Sequence, residues 1–168
     1  MLDKDILFFR NLREVINALQ SPDVLPNLRC MYGEIYTIKH DSVDNWHSVR
    51  IQKTPMFFNY WGYGGHGKFI AAVDYTICNT CIKINHLCVN DDADDDMTGE
   101  NSRELISGLI RWVETDAKRY NKSKLIVALE NNLDIYRKYY SNNGFVLSPG
   151  NYATNPIWIE MEMHLTPT

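Results

Sequence analysis

The sequence contains no apolar run near the ~20 residues that a membrane-spanning helix requires. Its four cysteines are too few to staple 168 residues as a disulfide scaffold. The opening stretch MLDKDILFF holds acidic groups and no cleavable apolar segment, so no secretory signal is read there. An intracellular, cytoplasmic setting with reduced thiols is the expectation. Excess positive charge is also missing: 17 Lys and Arg stand against 21 Asp and Glu, a formal net charge of −4. The aspartates at 91, 92, 94, 95 and 96 more than account for that balance. Without a basic stripe, nucleic acid is not an expected partner; without a polybasic or amphipathic anchor, neither is a membrane surface. Small molecules and proteins remain. No internal repeat stands out, and low-complexity sequence is confined to the acidic run. What is present is 45% hydrophobic and 12% aromatic content, enough for a sizeable core in one domain over 1–168.

Two textures divide the chain. Residues 6–9 precede Leu12, Val15, Ile16 and Leu19 at helical spacing, although 5–10 reads equally as a first strand. Ser21-Pro22 and Pro26 break that pattern. From residue 33 strands follow: 34–39, 48–52, the aromatic 56–63, 68–77 and 82–90. Turns are predicted at 62–67 and at Cys78-Asn79-Thr80-Cys81, making this half an antiparallel meander. In the second half Leu105, Leu109, Val113 and Ala117 recur every four residues with Ile106 and Ile110 beside them. This predicts a helix over 102–120, with Asn101 or Ser102 as N-cap and Glu104 completing a capping box. Residues 125–129 form a continuous apolar run, as in a parallel strand covered on both faces. A helix over 132–142 ends at Asn143-Gly144, a left-handed cap, and 157–165 alternates as a half-buried strand. The expected class is α/β with a mixed, mostly antiparallel sheet.

A helix N-terminus after a strand offers free amides and a dipole to an anion, and here the candidate amides are those of 101–106. An ordinary capped crossover helix has the same pattern. Cys78 and Cys81 have metal-ligand spacing but no second such pair, and they read better as hairpin-turn thiols, so no metal is expected. The acidic run fails as a calcium loop: with Asp92 first, Met97 replaces the turn glycine and Arg103 the closing glutamate. It reads as a solvated loop. The stretch 64–67 lacks a following helix and reads as a hairpin connection.

The order of these elements resembles the GNAT (Gcn5-related N-acetyltransferase) superfamily. The resemblance runs over 68–165, through Ile84-Asn85-His86-Leu87-Cys88-Val89, the helix with its small Ala117, and the strand 124–130. It ends in Tyr139-Tyr140-Ser141-Asn142-Asn143-Gly144-Phe145, which is similar to the family's Tyr-x-x-x-Gly-Phe signature with Tyr140 as the tyrosine. Residues 1–40 carry little of it. One departure is sharp: the family's pyrophosphate loop, Arg/Gln-x-x-Gly-x-Gly/Ala, would fall on Asn101, Glu104 and Ile106, with no glycine. Residues 84–89 with 102–110 locally resemble the acyl-CoA-binding stretch of N-myristoyltransferase, which also lacks these glycines. That enzyme holds two such domains, so myristoyl transfer is not implied.

The resemblance implies a sheet whose central parallel strands, 82–90 and 124–130, splay to admit acetyl-CoA or another acyl-CoA, with helices on both faces. It places Leu87, Cys88 and Val89 on the pantetheine arm, and the turn of Asn101, Ser102, Arg103, Glu104, Leu105 and Ile106 on the pyrophosphate. It implies direct attack by an amine acceptor, with backbone N–H groups near His86 and Leu87 facing the oxyanion and Tyr140 as the acid. His86 is a candidate base, since imidazoles titrate near neutrality. Strict alternation would bury it beside Ile84 and Cys88, and a bulge would turn it elsewhere. Tyr140 reads equally as one packing tyrosine among ten. The acidic run would disfavour an anionic cofactor and attract a cationic acceptor such as a polyamine or lysine tail. An inactive GNAT-fold binding or structural protein is the competing expectation. An interaction surface using Phe57, Phe58, Tyr60 and Trp61 is a third, although such aromatics more often form core.

Overall fold

The computed structural model describes residues 6–20, 34–55, 68–92, 97–130, 133–149 and 157–166. In chain order the elements are β1 (Ile6–Phe9), α1 (Leu12–Gln20), β2 (Glu34–Val43), β3 (Trp46–Pro55), β4 (Lys68–Ile77) and β5 (Cys81–Val89). Then follow α2 (Gly99–Arg119), β6 (Lys124–Glu130), α3 (Asp134–Asn142), β7 (Val146–Leu147) and β8 (Trp158–His164). The strands make one sheet ordered β1-β2-β3-β4-β5-β6-β8-β7. β1 to β5 run antiparallel to one another as a meander, and the single parallel pair among the described residues is β5–β6. A parallel pair needs a crossover, and the 21 residues of α2 provide it.

Residues 6–9 take the strand alternative, and the helical spacing begins only at Leu12. The stretches 56–63 and 62–67, with the aromatics expected there, lie outside the described residues. Tight turns follow residue chemistry. Asp44, at φ 53°, closes β2 onto β3, since a short polar side chain tolerates the left-handed region. Gly144, at φ 94°, ends α3 as its Asn-Gly pair predicted.

The core lies between the sheet and helices α1 and α2. Ile16, Leu19, Ile38, Ile51, Val73, Ile82, Ile84, Leu105, Leu109 and Val113 are buried there, each contributing about 1.5–3 kcal/mol through removal from water. The two helices approach closely at Gly108, where a Cβ would stand 2.8 Å from Leu19 Cβ. An ion pair at 2.7 Å between Arg13 and Glu104 ties them at the surface. No described helix is long and apolar enough to cross a membrane.

Two elements differ from expectation in ways that shape the site. The run 125–129 is not covered on both faces: Leu125, Val127 and Leu129 are buried, whereas Ala128 and Glu130 are exposed. α2 starts at Gly99, ahead of the expected 102. Its N-cap is Thr98, whose side chain accepts from the Asn101 amide, a contact of the kind that contributes ~1 kcal/mol. Neither Asn101 nor Ser102 is the cap, because a threonine with the required extended backbone stands before them.

Candidate active site

β5 and β6 pair over only four positions, from Cys81↔Lys124 to Ile84↔Val127. Beyond them the strands part. On its other edge β5 stays bonded to β4 as far as Ala71↔Val89, so His86–Val89 keep one edge paired while the other, parted from β6, leaves a gap between the strands. The gap is a cavity of about 330 Å³. Asn85, His86, Leu87 and Cys88 line one side, residues 127–130 the other, and Leu133, Tyr136, Tyr140 and Trp158 complete it.

A bulge decides what β5 presents to the cavity. Asp74 pairs with His86 but Tyr75 pairs with Ile84, so Asn85 is an extra residue; its side-chain Nδ2 donates to Thr76 Oγ1 at 2.7 Å. The alternation therefore shifts: Ile84 and Leu87 are buried and His86 is exposed. The core position that strict alternation gave His86 does not survive, and the side chain stands at the mouth of the gap instead.

Tyr140 is placed by α3 and by the cap that follows it. The Phe145 amide returns to the Tyr140 carbonyl at 3.1 Å, and the two rings meet edge to face at 5.0 Å. The phenol is 1% exposed and lines the cavity, and burial raises its pKa well above the ordinary tyrosine value. It is protonated at neutral pH, as tyrosines ordinarily are, and has no hydrogen-bond partner among the described residues. Tyr136, one turn earlier, is half-buried. Burial raises its pKa too, while the nearby backbone of Val89 acts in the opposite direction. A side chain of this protein thus lies close to Val89, one of the residues that the family resemblance assigns to a pantetheine arm.

The amides of 101–106 are not free. Asn101 N–H donates to Thr98 Oγ1 at 3.1 Å and Ser102 N–H to the Thr98 carbonyl at 2.9 Å; the following amides lie inside the helix. Leu105 and Ile106 are fully buried, Arg103 is exposed, and Glu104 turns to Arg13. Because the helix starts early, the first-turn amides without a partner among the described residues are those of Gly99 and Glu100, and no described atom crowds Gly99. Ser102 reaches out of the turn and donates to Asp91, so a carboxylate of the chain already sits by the positive end of the helix. Asp91 and Asp92 are the only members of the acidic run within the described residues.

No protein-family model and no curated protein matches the sequence. Solved structures do. Nourseothricin acetyltransferase is 13% identical, with 95% of this chain and 84% of that chain covered at a TM-score of 0.50. The ribosomal-protein-S18-alanine N-acetyltransferase from Escherichia coli is 14% identical over 76% of this chain and 74% of its own, at 0.49. A GNAT family acetyltransferase from Elizabethkingia anophelis, solved with acetyl-CoA bound, is 15% identical over 70% and 76%, at 0.46. Likeness at such identities is likeness of fold. With its antiparallel meander, one parallel pair that parts halfway and a helix crossing between, the chain has the fold of the GNAT acetyltransferases.

Proposed function

We propose that the protein is an N-acyltransferase that moves an acetyl group from acetyl-CoA to a primary amine. The observation that carries this reading is the parting of β5 and β6 after Ile84 and Val127, which leaves strand edge, His86 and a protonated Tyr140 around one cavity. The pantetheine arm pairs with the free edge of Leu87, Cys88 and Val89, displacing the Tyr136 hydroxyl. The pyrophosphate lies at Gly99 and Glu100, displacing Asp91.

The amine nitrogen attacks the thioester carbonyl, and the carbonyl π pair moves to oxygen, where backbone N–H groups near His86 and Leu87 stabilise the oxyanion. His86, directly or through a water, takes the proton that the nitrogen sheds. Collapse breaks the C–S bond, and Tyr140 gives its proton to the departing sulfur, leaving amide and free CoA. The acidic run favours a cationic acceptor, such as a polyamine or a lysine-bearing chain.

The test couples binding to turnover. Acetyl-CoA at ~100 times its dissociation constant adds ~2.7 kcal/mol of stability, read as a rise in melting temperature. Thiol release with an amine panel should follow. A second reading, a GNAT-fold binding protein without catalysis, is favoured by the two internal contacts, Tyr136 on Val89 and Asp91 beside the α2 N-terminus. A thermal shift without thiol release supports that second reading; no shift at millimolar acetyl-CoA rejects the first.

A further inference from the structure

We propose that His40, His47 and Asp116 form a second site, independent of the cavity, that binds a divalent metal ion of the zinc class. The site arises from register. The β2–β3 hairpin pairs Ser42 with His47, so His40, two residues before Ser42, is a diagonal neighbour of His47 on the same sheet face. His47 pairs in turn with Tyr75 of β4, and their rings stack at 5.2 Å with 13° between planes. The last turn of α2 lays Asp116 over this row, where the Tyr75 hydroxyl donates to Asp116 Oδ2 at 2.5 Å.

One ligand atom from each of the three lies within 4.8 Å of the other two. His40 Nε2 and His47 Nδ1 face each other at 2.9 Å, two imidazoles sharing one proton. A tetrahedral ion with bonds of 2.0–2.1 Å holds its nitrogens about 3.3 Å apart, so the pair must open by only roughly 0.4 Å to exchange that proton for a cation. Asp116 is 3% exposed, and its carboxylate is aimed by Tyr75 on one oxygen and by Arg119 at 3.0 Å on the other, the outer contacts that metal-ligating carboxylates use. The Arg119 side chain is 60% exposed and can turn to water when the ion takes up the carboxylate charge.

Two imidazoles and a carboxylate suit zinc, whereas calcium and magnesium demand all-oxygen shells. No fourth ligand side chain joins the group among the described residues, so water completes the shell on the side of half-buried His40. The ion would pin the β2–β3 hairpin to the end of α2. None of the three residues lines the cavity between β5 and β6.

The test uses the full chain, stripped with a chelator and titrated with Zn²⁺ alone by calorimetry. One ion should bind per chain, His40→Gln should lower the affinity at least 100-fold, and His164→Ala, an exposed imidazole on β8, should leave it unchanged. His40→Gln qualifies only if its melting curve in chelator matches the parent. Should it misfold, Co²⁺ decides on the parent chain: four-coordinate visible bands without thiolate charge transfer support the site. No binding, equal binding by a folded His40→Gln, or a thiolate spectrum pointing to Cys78 and Cys81 overturns it.

Discussion

The two halves of β5 differ by what their outer edge meets. From Cys81 to Ile84 the edge is bonded to β6; from Asn85 to Cys88 it faces a cavity. Residue type does not separate them, for both halves are apolar with polar interruptions. The difference is made by Asn85, one extra residue that resets the face of everything after it, and by β6 turning away beyond Val127. A cleft can therefore be built by withholding backbone pairing, with few dedicated side chains, and its chemistry then depends on what enters.

That contrast can be broken at several points. Ala128, exposed on the parted stretch of β6, can be replaced by Phe to close the gap. Acyl-CoA binding should fall more than ~100-fold by calorimetry while the melting temperature holds, since an apolar ring in an open apolar site costs little folding energy. Retained affinity would place the cofactor elsewhere. Tyr140→Phe keeps the ring against Phe145 and removes only the proton donor. Turnover should drop about 10²–10⁴-fold with acyl-CoA affinity unchanged, measured by steady-state thiol release. On the paired side, Gly108→Ala forces a methyl against Leu19 and should cost about 1–3 kcal/mol in a denaturant melt, with cofactor affinity unaltered.

Smaller effects sharpen the picture. If the Tyr136 hydroxyl competes for the Val89 backbone, Tyr136→Phe should tighten CoA binding, by up to about tenfold for one hydrogen bond of ~0.5–1.5 kcal/mol. Weaker binding would make Tyr136 a ligand contact. Glu162, 6% exposed, is held below the usual carboxylate range by a hydrogen bond from His164, then by Lys124, against the opposing pull of burial. Its lowered pKa contributes stability above the ordinary value of 4.5, lost as the pH falls through the folded value. Glu162→Gln should therefore be less stable than the parent at neutral pH, with the gap in melting temperature narrowing below about pH 4.

Much of this architecture was legible in the residues. The period of four through Leu105, Leu109 and Val113, the apolar run at 125, the Asn-Gly stop and the alternation at 157–165 each mark their element. Cap and bulge were harder to see. Thr98 precedes Gly99, a weak helix former, so the apolar periodicity that starts at Leu105 conceals the first turn. Bulges leave no pattern of their own, and Asn85 reads as one more polar alternate until β4 is laid beside it. Strict alternation along 157–165 puts Glu162 on the water-facing side, yet it is buried, since alternation cannot see that Lys124, His164 and Ser148 converge on it. His40, His47 and Asp116 were invisible as a group for a plainer reason. Spacing within a hairpin and distance to a helix are set by register, and no local motif encodes them.

The parted edge is tested most directly by a backbone amide NMR titration of the full chain with CoA. Saturable shifts are predicted at Leu87, Cys88, Val89, Gly99 and Glu100, with the amides of 103–106 changing least. An unchanged spectrum at millimolar CoA, or shifts confined to the face around His47, would contradict a cofactor held between β5 and β6.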